Sequence, residues 1–106
     1  MARLQIIYWR DIPAQVIASA GRKRARRQLD TRFEKAIDRA AIRAGLHGTD
    51  DYLDQWRRSD PRACNGDIET IVAQAAALIE QDFTDERLEQ IIRADGIDPT
   101  PDKTPD

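Results

Sequence analysis

The chain has 106 residues, 41% of them hydrophobic and 34% charged, with a net charge of −2 at pH 7. That length supports one domain with a modest core, and no apolar run approaches the roughly 20 residues of a membrane-spanning helix. A single cysteine excludes an internal disulfide framework and a cysteine-based zinc site, and the apolar run from Leu4 to Trp9 is too short for a signal peptide, so a cytoplasmic protein is expected.

The overall charge hides a division. Through Arg58 there are thirteen basic residues against seven acidic, leaving +6; from Ser59 onward four stand against twelve, leaving −8. Such polarity fits self-association through opposite patches, or a basic face for an acidic partner.

In chain order, residues 3–9 alternate as a strand, with Leu4, Ile6 and Tyr8 on one face and Gln5, Ile7 and Trp9 on the other. Pro13 lacks an N–H and biases Ile12 away from helix, so Asp11-Ile12-Pro13 reads as a connection before a second strand over about 14–19. Gly21 marks the next turn. One helix from Arg22 to Leu46 would give a stripe of Leu29, Phe33, Ala36, Ile37, Ala40 and Ala44, but Arg22 and Arg26 would fall inside it. Thr31-Arg32-Phe33-Glu34 also fits a capping box, with Asp30 as an alternative cap. The reading adopted is a third strand over about 24–29 and a helix over about 31–45, closed by Gly45; the long helix remains the alternative.

Thr49 is placed to cap a helix over about 49–58, with Asp50 and Asp51 in its first turn and Arg57 and Arg58 in its last. A loop through Pro61 precedes the strongest amphipathic pattern, Ile68, Ile71, Val72, Ala75, Leu78 and Ile79, giving a helix over about 67–81. Thr84 begins a last helix over about 84–93. The acidic, proline-rich end over 96–106 has little to bury and is expected to be disordered, leaving a domain over 1–95. Strands followed by helices imply an α+β fold, a small antiparallel sheet covered on one face by three to four helices.

Candidate contacts are Trp9 and Arg10 at the first strand junction, with Arg22, Lys23, Arg24, Arg26 and Arg27 in the basic run. Tryptophan beside arginine is a composition that interface hot spots favour, and a basic run neutralises phosphates. The same run also serves to protect an edge strand from pairing with another chain. A protein partner is the leading expectation and nucleic acid the alternative; no membrane, metal or cofactor is called for. Cys64, ahead of a helix start, and His47, the single histidine, could form a thiolate pair only if the fold brought them together.

The pieces "LQIIYWRDIPAQVIA", "GRKRA", "RFEKAIDRAA", "AGLHGTDDYLDQW" and "GDIETIVAQAAALI" resemble the bacterial family known as virulence factor, and they span nearly everything from Leu4 to Ile79. The WR-IPAQV block is the most specific of them. The resemblance implies no enzymatic activity, cofactor or catalytic residue. It implies a module working beside a larger system: related domains occur free-standing and appended, and free-standing ones near folate and corrinoid methyl-transfer genes.

Overall fold

Alternating apolar residues draw the N-terminal third into antiparallel strands, and the computed structural model describes residues 2–98 of the chain. Strand β1 (Ala2–Trp9), strand β2 (Ile12–Ala20) and strand β3 (Lys23–Gln28) form a meander. Helix α1 (Thr31–Arg43) and the short helix α2 (Asp50–Asp54) follow. Strand β4 (Trp56–Arg58) and strand β5 (Arg62–Cys64) then pair antiparallel to the two ends of the free edge of β1. Helix α3 (Ile68–Asp82) and helix α4 (Asp85–Arg93) complete an α+β domain. The basic segment is therefore a strand, as the misplaced arginines of the long-helix alternative require. Residues 99–106 of the expected tail lie outside the described residues.

Three local expectations are corrected. The hairpin between β1 and β2 is only Arg10-Asp11; β2 already begins at Ile12, and Pro13 pairs with Tyr8 where the register shifts. A proline is tolerated in a strand at such an irregularity because no regular ladder bond is asked of it. The capping box does not form: Asp30 is the N-cap of α1 without a side-chain cap, while its own N–H donates to Glu80 Oε2 at 2.8 Å. The helix expected over 49–58 stops at Asp54. Trp56 and its neighbours instead pair with β1, Trp9 opposite Trp56 and Ile7 opposite Arg58. A five-residue helix makes few internal bonds, and an open sheet edge offers its backbone better partners.

Elsewhere the local chemistry acts as read at Thr49, Thr84 and Gly45, and Asp67 adds a cap that the sequence reading did not name. Thr49, Asp67 and Thr84 cap α2, α3 and α4, each side chain accepting an N–H three residues on. Gly45, with φ +74°, ends α1, and its N–H and that of Leu46 bond the carbonyls of Ile42 and Ala41, the paired bonds of a Schellman turn.

The core lies between one sheet face and the helices. Val16, Ala18 and Ala25 from the sheet join Ile68, Ile71, Val72 and Ala76 of α3, Phe33, Ala36, Ile37 and Ala40 of α1, and Leu88, Ile91 and Ile92 of α4. A fully buried side chain such as Phe33 contributes about 1.5–3 kcal/mol relative to exposure. Arginines fasten the helix layer. Arg32 donates to the carbonyls of Glu80 and Phe83 at the end of α3, Arg39 grips both Glu89 oxygens at 2.9 and 3.1 Å, and Arg43 donates to the Arg93 carbonyl at 3.0 Å.

Trp9 is fully buried. Its Nε1–H donates to the Tyr52 carbonyl at 2.9 Å, and its ring lies 5.5 Å from the Tyr52 ring, centroid to centroid. Arg10 takes φ +53°, a left-handed conformation costing a non-glycine residue about 1–2 kcal/mol. Four bonds offset that cost: its N–H to the Gln55 carbonyl, its guanidinium to Gln55 Oε1 and the Asp95 carbonyl, and its carbonyl accepting from Arg57. Asp11 donates its N–H to the Gly96 carbonyl at 2.9 Å and accepts the Asp98 N–H at 2.6 Å. The chain through Asp98 is thus docked onto the first hairpin turn.

Two consequences are measurable. A Cβ on Gly96 would stand 2.9 Å from Trp9 Cζ3 and 3.2 Å from Arg10 Cδ, at φ +94°. Gly96→Ala is therefore expected to cost about 2–4 kcal/mol in urea unfolding, from left-handed strain plus overpacking. Gly48→Ala, at φ +77° with nothing within 4 Å, should cost only the strain, about 1 kcal/mol. Secondly, the Arg39 hydrogen bond holds the Glu89 carboxyl below its ordinary 4.5. The folded value lies below the unfolded one, so the stability from this pair is present above pH 4.5 and is lost as pH falls through the folded value. The melting-temperature gap between wild type and Glu89→Gln should persist at pH 7 and close on acidification.

Candidate functional site

Residues opposite one another in an antiparallel ladder project to the same face, so the register decides which side chains form the uncovered side of the sheet. Leu4, Ala18 and Ala25 form one row, and Ile6 and Val16 belong to the next, on the helix side. The alternate rows form the open face: Arg3, Ser19 and Arg24; Gln5, Ile17 and Arg26; Ile7, Gln15 and Gln28, with Arg58 opposite Ile7 on the far side.

Four arginines from three strands therefore meet on one surface. Arg58 and Arg26 lie on the outermost strands of a path β3-β2-β1-β4, three strand spacings or about 14 Å apart. None of the five strands contains an acidic residue. Among the described residues, Arg3, Arg24, Arg26 and Arg58 form no ion pair, whereas Arg32, Arg39, Arg43, Arg87 and Arg93 on the helices each have at least one. Ile7 and Ile17 sit at the centre. Ile17 is 6% exposed yet stands apart from the helix-side core cluster. Beyond Ile7, a shallow groove runs between Gln15, Trp56, Arg57 and Arg58.

This placement redraws the expected contact set. Trp9 is removed from it, because a ring with no exposed surface has nothing to offer a partner. Arg10 is spent on Gln55 and Asp95. The basic run splits: Arg24 and Arg26 lie on the open face, Lys23 and Arg27 sit opposite Ala20 and Val16 in the alternate rows, and Arg22 stands in the turn. Arg3, Arg58, Ile7 and Ile17 were missed. The strand alternation already grouped Gln5 with Ile7, and extending it by one step would have found Arg3. Arg58 carried no such signal while it was read into a helix.

Cys64 and His47 do not form a pair. Cys64 lies in β5 opposite Ala2, its thiol 3.6 Å from the Arg62 carbonyl, and His47 Nε2 lies 3.4 Å from Asp38. Among the described residues no group of three or more His, Cys, Asp or Glu is placed to hold a metal ion, and no helix is long and apolar enough to cross a membrane.

Comparison with known proteins gives one match. No curated protein and no solved structure matches the chain. A family model described as Virulence factor matches residues 7–92 of the 106, from within β1 to near the end of α4, and takes in Trp9, Arg10, Tyr52 and Gln55 and most of the open face, but not Asp95, Gly96 and Asp98. The chain belongs to the virulence factor family.

Proposed function

We propose that this protein is a non-enzymatic interaction module, and that it docks an acidic protein on the open face of its sheet. The observation that carries this reading is the set of four arginines without ion pairs among the described residues, Arg3, Arg24, Arg26 and Arg58, arranged around the half-buried Ile7 and the buried Ile17 on strands without any carboxylate. An apolar centre with an arginine-rich rim is the composition of protein contact surfaces, where arginine is enriched. Guanidinium groups suit carboxylates because their N–H pairs match carboxylate geometry bidentately.

Nucleic acid is the weaker occupant on two counts. The centre of the face holds isoleucines, which cannot stack on bases, where sheet-based RNA binders place aromatic rings. The rest of the molecule is acidic, with eight more negative than positive charges after Arg58, and that field repels a long polyanion. The accessory role implied by the family resemblance makes methyl-transfer proteins the first partners to titrate.

Arg24→Gln/Arg26→Gln/Arg58→Gln should leave folding stability within about 0.5 kcal/mol per site, because these side chains hold nothing in the fold. The same variant tests function. Affinity capture from nuclease-treated lysate should recover a protein with wild type and lose it with the triple variant. The purified partner should then bind wild type with an affinity that falls as salt rises. Capture that vanishes on nuclease treatment, or that survives the triple substitution, contradicts the reading.

A further inference from the structure

We propose that the groove between α1 and the Tyr52–Trp56 aromatic pair binds an organic cation, an alkylammonium group carried by a small molecule or by a lysine side chain. This site adjoins the open face at Gln15, Gln28 and Trp56 but goes beyond the docking reading, because its floor and its carboxylates belong to Leu29 and α1.

The groove has a volume of about 570 Å³, within the range of small-ligand sites. Leu29 and Ile37, both buried, give it an apolar floor. Tyr52 and Trp56 line it with their rings 6.2 Å apart and nearly perpendicular at 87°. Trp56 is 36% exposed, an unusual position for a ring of that size. Two rings at right angles present a π-face and an adjoining wall to the same volume, the arrangement that attracts an ammonium through the ring quadrupole.

Charge selects the same class of ligand. Glu34 and Asp38 are one helical turn apart on α1, and both line the groove. Among the described residues Glu34 has neither a hydrogen bond nor an ion pair, and Asp38 meets only His47, at 3.4 Å. Lys35 is the single basic residue of the lining, so the carboxylates outnumber it two to one. Their field reaches the rings: the Tyr52 phenol is raised above 10.0, first by burial and then by Asp38 and Glu34. Gln15 and Gln28 supply amide oxygens as further acceptors. An anion meets net repulsion here, and a neutral chain makes no use of the carboxylates.

The test is a titration of the ¹⁵N-labelled protein with n-butylammonium, tetramethylammonium and a short lysine peptide, against n-butanol as the neutral isostere, at constant ionic strength. A saturable shift of the Trp56 indole N–H and the Gln15 and Gln28 amides is expected with at least one cation, and a much weaker one with n-butanol. Comparing the small ammonium ions with the peptide identifies the source. Trp56→Ala should weaken binding about fivefold and Glu34→Gln about two- to threefold, while Lys35→Ala tightens it about twofold. The buried Trp9 indole N–H, bonded to Tyr52, reports whether each variant keeps the fold. No saturable shift with any cation, equal binding of n-butanol, or unchanged affinity in folded Glu34→Gln and Trp56→Ala overturns the proposal.

Discussion

The buried indole of Trp9 is the constraint on which the remaining architecture depends. Its Nε1–H reaches the Tyr52 carbonyl, its edge leaves room only for a glycine at position 96, and its chain neighbour Arg10, in the turn, binds Gln55 and Asp95. Three segments far apart in sequence are thereby fixed on one end of β1: the first hairpin, the α2–β4 corner and the residues after α4. Each bond is worth about a kilocalorie per mole net, but leaving a buried indole N–H unpaired would cost about 1–3. The clasp is therefore hard to loosen one piece at a time.

That constraint separates two roles which the sequence leaves entangled. Trp9 and Arg10 are the most conspicuous residues of the chain, and both are consumed internally. Fixing β4 against β1 is what brings Arg58 onto the open face and Trp56 to the mouth of the groove beside α1. The same corner thus builds a cationic surface on one side and a carboxylate-lined aromatic groove on the other. The charge division along the chain becomes a division in space. Among the described residues, basic residues on the strands form no ion pairs apart from Arg57 with Asp11, while Arg32, Arg39, Arg43, Arg87 and Arg93 of the helices are each paired with a carboxylate.

Much of the fold was legible because local and global preferences agree. The arginines at positions 22 and 26 could not share a stripe with Phe33 and Ile37, and that conflict, together with a capping box at Thr31 that does not form, separated β3 from α1. The caps at Thr49 and Thr84 were readable because each faces an N–H three residues on. The short strands β4 and β5 were not, since three-residue strands have no periodicity of their own and exist only where an edge of β1 is vacant. The capping box failed for a related reason: Asp30 is held by Glu80 of α3, a contact fifty residues away. For the site, alternation of β1 and β3 pointed to a face bearing Arg24 and Arg26, but joining them to Arg3 and Arg58 required the register. Composition left two readings open at Trp9, a packing residue and a contact, because tryptophan beside arginine describes a buried clasp as well as it describes an exposed hot spot; burial selects the first.

The separation of clasp from contact surface is tested most directly by Trp9→Phe, with unfolding free energy and affinity for the captured partner measured on the same preparation. Phenylalanine keeps an aromatic ring but removes the N–H donated to Tyr52. Stability is expected to fall by about 1–3 kcal/mol, while partner affinity, measured where the variant remains folded, stays at the wild-type value. Unchanged stability together with a tenfold or greater loss of affinity would contradict the account, because it would make Trp9 a contact residue.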